Sequence, residues 1–297
     1  MWTKPWTMRE GFLIGGGLIL AGMMLEVSTG PVMWDAFLWP FNIISLVVFI
    51  VILTVMSLMR SRVYAFRFLS TNKATIPALV YAVLLTIVMG LTRQTINGSW
   101  VNNMLTFWPF VLIYVYLAAI LWMVVMQRLQ RLTKGQGNVV SNVSFLLNHL
   151  GLFITITTAT LGNADMQRLK MVCAVGEPEW RAMSAEQVIE LPLAIELKRF
   201  IMDVYDDGSP KRFASDVEIL TKTGKRLVTT IDVNKPAEVD GWKIYQYGYD
   251  QQAGAMSRIS ILELVSDPWL PVVYVGIYMM LVGAFLLFVM GGRMSKK

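Results

Sequence analysis

One cysteine, one histidine and only 15% charged residues leave this 297-residue chain short of the side chains from which most active sites are built. The lone Cys173 and lone His149 exclude a disulfide framework, a structural zinc site, an iron–sulfur site and a covalently attached haem. No Gly-rich loop follows a strand pattern, and there is no Gly-x-Ser-x-Gly elbow, Walker motif or His-Glu-x-x-His pair. Apolar length takes the place of charge. With 55% hydrophobic residues and a mean hydropathy of +0.54, the composition is that of a chain whose solvent is a membrane.

Apolar runs long enough to span a bilayer fall at 11–29, 38–59, 75–92, 105–126, 145–162 and 269–291, which predicts six helices. The first run has Met23, Met24 and Leu25 where a signal peptide would carry small residues, so it is expected to stay attached. If the N-terminus is inside, the inside segments hold twelve basic residues: Lys4 and Arg9; Arg60, Arg62, Arg67 and Lys73; Arg128, Arg131 and Lys134; and Arg293, Lys296 and Lys297. The two short outside loops hold only Arg93. The positive-inside rule therefore predicts cytoplasmic termini and an outside segment between the fifth and sixth helices. That segment, 163–267, carries −4 while the remainder carries +10, so the net +6 reflects topology and gives no reason to expect nucleic acid. The expected domains are 1–162, a membrane domain of five helices; 163–267, an extracytoplasmic β domain; and 268–297, the sixth helix and a cytoplasmic tail.

Within the outer segment, Ser184-Ala185-Glu186-Gln187-Val188-Ile189-Glu190 opens like a capping box and predicts a short helix. Beyond it the period changes to two. Strands are expected at 195–205, 214–221, 225–233, 242–249 and 258–265, separated by Asp207-Gly208-Ser209-Pro210, Thr223-Gly224, Asn234-Lys235-Pro236 and Asp240-Gly241. Five short strands make a small antiparallel sheet or sandwich.

This domain has no histidine, so no Ser-His or Cys-His nucleophile pair can be built in it. Adjacent Asp206 and Asp207 beside a Gly-Ser-Pro turn read as turn chemistry, and solitary Cys173 reads as an inert thiol. Trp242, Tyr245 and Tyr247 offer either a partner-binding surface or core residues of an alternating strand. Trp34 and Trp39 at one outside loop, and Trp100 and Trp108 at the other, read as an aromatic belt. His149 stands inside the fifth span, near its cytoplasmic start. Two readings are open for it: a functional group facing a partner or cavity, or a neutral imidazole bonding a neighbouring helix. An imidazole in an apolar bundle suits an axial haem ligand, but one histidine supplies one ligand.

Four stretches carry a family likeness: Ser215-Asp216-Val217-Glu218-Ile219; Ile231-Asp232-Val233-Asn234-Lys235-Pro236; Gly241-Trp242-Lys243-Ile244-Tyr245-Gln246; and Asp267-Pro268-Trp269-Leu270-Pro271-Val272-Val273-Tyr274-Val275-Gly276. Together with His149-Leu150-Gly151 ahead of them, they resemble the ResB (CcsB) proteins of System II cytochrome c biogenesis, over about 145–290. That family commonly has three spans before a much larger outer domain, whereas five spans are expected here. The resemblance implies a subunit that works with a CcsA (ResC)-like membrane partner to carry haem b across the bacterial inner membrane and present it to apocytochrome c. It implies part of a cytochrome c synthase, or haem lyase, complex that is not catalytic alone, served by a thioredoxin-like thiol reductant. Carried onto this chain, the family's intramembrane histidine is His149, an axial ligand of the haem iron. The alternatives are a membrane scaffold and a membrane subunit of a quinol-linked redox complex, neither of which handles haem.

Overall fold

The computed structural model describes residues 2–95, 98–184, 187–207 and 209–294. They form two compact units, one of residues 1–164 with 269–297 and the other of residues 165–268.

The first unit is helical: α1 (Met8–Thr29), α2 (Phe41–Leu58), a short α3 (Tyr64–Leu69), α4 (Asn72–Leu91), α5 (Trp108–Thr133), α6 (Val139–Gly162) and α7 (Leu270–Met294). Six of these lie in segments long and apolar enough to cross a membrane, and they fit an integral membrane protein. The short α3 was not expected from the hydropathy pattern. Because the long helices alternate in direction, the start of α1, the α2–α4 connection, the α5–α6 connection and the end of α7 share one end of the unit. Arg60, Arg62, Arg67, Lys73, Arg128, Arg131 and Lys134 all fall there, and we call it the basic end. Lys296 and Lys297 lie outside the described residues.

At the ends of α1 and at the start of α5, polar groups find partners within the chain. Thr7 opens α1 with a reciprocal cap, its backbone N–H donating to Glu10 Oε2 at 2.7 Å while its hydroxyl accepts from Arg9. At the opposite end, buried Glu26 accepts the Trp108 N–H at 3.1 Å, so one carboxylate of α1 caps the N-terminus of α5. The close approach of these two helices needs Gly22, where a Cβ would meet the Pro109 backbone at 2.6 Å.

The second unit is one eight-stranded antiparallel sheet. Its strands are β1 (Gln167–Ala174), β2 (Pro178–Ser184), β3 (Gln187–Val204), β4 (Pro210–Thr221), β5 (Arg226–Asp232), β6 (Ala237–Val239), β7 (Trp242–Tyr249) and β8 (Ile259–Ser266). The spatial order is β5-β4-β3-β2-β1-β8-β7-β6. The five expected strands are all present, but the sheet is larger than expected. The short helix expected at 184–190 is corrected to a hairpin in which Met183 pairs with Val188 and Ser184 with Gln187. Ala185 and Glu186 lie outside the described residues. A local capping signal loses here because a long β3 pairs on both sides and buries Leu191, Leu193, Ile195 and Leu197, which a one-turn helix would not do.

The turn chemistry holds where its mechanism is specific. Asp240 and Gly241 both take positive φ, +45° and +84°, and close a two-residue hairpin in which Val239 faces Trp242. The sheet curls enough for β4 to meet β7, where Ser215 Oγ donates to Gln246 Oε1 at 2.6 Å and Gln246 Nε2 donates to Ser260 Oγ at 2.9 Å. All three side chains are buried. Around them Val217, Ile219, Ile231, Ile244 and Leu262 fill the interior.

Candidate functional site

The α6 helix begins at Val139, six residues before the expected start of the span, and Asn138 caps it by accepting the Ser141 N–H at 3.2 Å. His149 therefore lies about three turns inside the helix rather than within the first two. One face of α6 presents Ser144, Asn148, Gly151 and Thr155 to α7. Ser144 Oγ donates to the Gly283 carbonyl at 2.6 Å. A Cβ on Gly283 would meet Asn148 Nδ2 at 2.6 Å, and one on Gly276 would lie 2.7 Å from the Gly151 carbonyl. Small residues on both helices permit this contact, the usual solution where lipid removes any hydrophobic drive to associate.

His149 is one residue on from Asn148, so it is rotated about 100° from that seam. Its Nδ1 is 2.9 Å from the Phe145 carbonyl oxygen. A carbonyl only accepts, so Nδ1 carries the proton, and in the neutral ring Nε2 keeps the lone pair. The imidazole stacks on the Phe145 ring, with centroids 3.7 Å apart and planes 13° apart. The Arg128 guanidinium of α5 stands over that same ring at 4.8 Å from its centroid. One of its terminal nitrogens donates to Ser141 at 3.2 Å, while its Nε is buried with no hydrogen-bond partner. Two turns on, Trp122 packs on Phe153 at 4.9 Å and donates its indole N–H to Thr54 of α2 at 3.1 Å. The ring, the imidazole and the guanidinium are thus held by α5 and α6 together.

Among the described residues no group of three or more His, Cys, Asp or Glu can hold a metal ion, so His149 is at most one ligand of a shared centre. A cavity of about 370 Å³ lies among Leu46, Ile50, Phe153, Ile154, Val272 and Val275. His149 does not line it, and both threonines that do, Thr157 and Thr158, donate their hydroxyls back to their own helix at 2.7 Å. It is an apolar groove of α2, α6 and α7 toward the end opposite the basic end, without a polar group to orient a ligand.

The other candidate residues have structural roles. Asp207 Oδ1 accepts from the Ser209 N–H at 2.9 Å and its hydroxyl at 2.6 Å, and these bonds hold the carboxyl below its ordinary range. Gly208, beside it, lies outside the described residues. Cys173 is fully buried in the sheet interior, where burial first and nearby Glu179 second push its thiol up to about 12. Trp242 is a core residue. Tyr247 is 52% exposed and carries the Lys170 ammonium 3.8 Å from its ring centroid. Of the belt tryptophans, Trp39 is exposed, Trp34 donates to the Leu105 carbonyl at 3.0 Å and Trp108 to the Gly30 carbonyl at 2.9 Å.

Arg128 was legible in the sequence only as an inside charge. Its contact with Phe145 depends on how α5 and α6 pair, which no spacing along the chain reveals.

Helices of this length with an inserted antiparallel sheet define the class, a polytopic membrane protein with a β domain near its C-terminus. Residues 127–261, a stretch that includes Arg128, His149 and most of the sheet, match the ResB-like family. The match begins earlier and ends earlier than the 145–290 read from the sequence. The chain is 28% identical over 121 residues to the cytochrome c biogenesis protein CcsB of Prochlorococcus marinus subsp. pastoris. That alignment covers 39% of this chain and only 27% of the relative. Among solved structures, the cytochrome c heme lyase CcmF aligns over 96% of this chain and 46% of its own, at 14% identity and a TM-score of 0.39, a likeness too distant to bear on fold or function.

Proposed function

We propose that this chain is the haem-handling half of a cytochrome c maturation complex in the bacterial inner membrane, working with a CcsA/ResC-like partner. Haem b is its cargo. The family match and the CcsB relative support a role in cytochrome c biogenesis. The observation that carries the haem reading is the state of His149: its Nδ1 proton is committed to the Phe145 carbonyl, so Nε2 is the atom left for iron. A single imidazole fits one axial position, and the second must come from the partner. In this reading the basic end is cytoplasmic, both termini lie there, and the β domain stands on the outer side to position apocytochrome c. The domain has no histidine to act as base or nucleophile partner, so attachment chemistry and the thiol reductant belong to other chains of the synthase.

The test is a spectrum of the full chain purified gently with and without its membrane partner. Alone it is expected to retain little haem, because one strong axial ligand holds iron weakly; with the partner it shows a low-spin spectrum. His149→Ala should abolish that spectrum and cytochrome c maturation while the protein still inserts, since one neutral side chain contributes little to inserting six helices. Wild-type maturation and unchanged haem in the Ala variant would return His149 to a packing role.

A further inference from the structure

Five buried side-chain atoms of the helical unit have no hydrogen-bond partner among the described residues: Ser57 Oγ, Arg60 Nη1, Ser70 Oγ, Tyr116 Oη and Arg128 Nε. All but Tyr116 lie at the basic end, where α2 finishes, α3 returns and α5 completes its last turns. Each can donate a hydrogen bond, and two are guanidinium nitrogens. The unit has three acidic residues to answer them. Glu26 and Asp35 are at the opposite end, and the Glu10 carboxylate is taken by Thr7. A buried guanidinium N–H without an acceptor is costly in an apolar bundle, and among the described residues of the unit no carboxylate answers it.

Of these groups Arg128 is the one that shares a packing partner with His149. It and His149 pack on the same Phe145 ring, at 4.8 and 3.7 Å from its centroid. A haem carries both groups that this pair would answer, a metal for an imidazole and carboxylates for a guanidinium. We propose that Arg128 receives a propionate carboxylate of the haem bound at His149, through the N–H that the chain leaves unanswered. The proposal rests on the haem reading above. It makes Arg128 a binding residue for the acidic rim of the cargo and lets Ser141, which already holds one terminal nitrogen at 3.2 Å, fix the direction of the fork. Phosphate on an anionic lipid headgroup shares the chemistry, so the experiment separates the two sources.

The probe is metal-free protoporphyrin, which keeps the carboxylates and loses the iron, titrated into the full chain in phosphatidylcholine nanodiscs and read by porphyrin fluorescence. Its dimethyl ester is titrated in parallel. The wild-type chain should bind the free acid at least about tenfold more tightly than the ester. Arg128→Gln should erase that preference, Arg128→Lys should restore part of it, and exposed Arg131→Gln should leave it unchanged. The preference is read without iron, whereas the ligand reading is tested by the haem spectrum of the partnered complex, so failure of the ligand reading and failure of this proposal are seen in different measurements. Equal binding of acid and ester by the wild type, including binding of neither, overturns the proposal without any variant having to fold. Loss of the preference when phosphatidylglycerol replaces phosphatidylcholine assigns Arg128 to lipid phosphate and overturns it as well.

Discussion

In the β unit Glu218 is met by Lys198 at 3.0 Å and by Arg226 at 2.5 Å, and Arg212 reaches Asp232 at 2.7 Å; in the helical unit Arg128 has only a serine hydroxyl and a ring face, and one of its nitrogens has nothing. The sheet pairs these charges with one another, partly exposed, where each pair is worth little. The helices concentrate unanswered donors at one end. The same contrast runs through packing. The sheet is held by bulky buried side chains such as Ile219, Ile231 and Ile244, whereas α6 and α7 are held by the absence of side chains at Gly151, Gly276 and Gly283. Under the function proposed above, the self-sufficient unit would position and the unit with open valences would handle the cargo.

Substitutions in each unit sharpen that division. Removing Ile244, fully buried between the strands, by Ile244→Ala should cost about 3 kcal/mol of β-unit stability while the low-spin spectrum of the partnered complex persists. Limited proteolysis within 165–268 together with the absorption spectrum reads both effects, and loss of haem would break the separation. Gly276→Val places a branched Cβ against Thr155 and the Gly151 carbonyl and should cost about 2 kcal/mol in the helical unit. Here the order reverses: the spectrum and thermal midpoint of the helices should suffer while the sheet resists protease. Ser215→Ala leaves Gln246 Oε1 without its 2.6 Å donor and should cost about 1 kcal/mol, read as a small fall in the thermal midpoint of the β unit.

The smallest effect concerns acid. Arg181 beside Glu179 holds that carboxyl down at about 2, below its ordinary value of 4.5. Because the folded value is the lower one, this pairing stabilises the fold above pH 4.5 and its contribution vanishes as the pH falls toward 2. Glu179→Gln should therefore lower the thermal midpoint slightly at neutral pH and converge with the wild type at pH 2. A difference that persisted at pH 2 would place the effect in packing instead of charge.

Six helices, their order and the charge split were legible because hydropathy and basic residues are summed over long windows, which tolerate local error. Strands β4, β5, β7 and β8 were legible through period-two alternation and turns such as Asp240-Gly241, where only certain residues adopt the required φ. β1, β2 and the first half of β3 were missed. Their exposed faces carry Val172, Met183 and Val188, so alternation is blurred, and the Ser184 to Gln187 signal pointed locally to a helix. His149 was found because it is the chain's one histidine. Arg128 was not, because it looked like any other inside charge.

Composition and spacing by themselves determined that this chain fits a membrane, that it carries a β region near its C-terminus, and that these 297 residues cannot hold a metal between two imidazoles, since a count of one cannot be altered by folding. Which nitrogen of His149 remains free is settled within α6, by a carbonyl one turn back that claims the Nδ1 proton. Which arginine stands beside it was decided only by tertiary structure, because the pairing of α5 with α6 sets Arg128 and His149 on one phenyl ring although 20 positions separate them in the sequence.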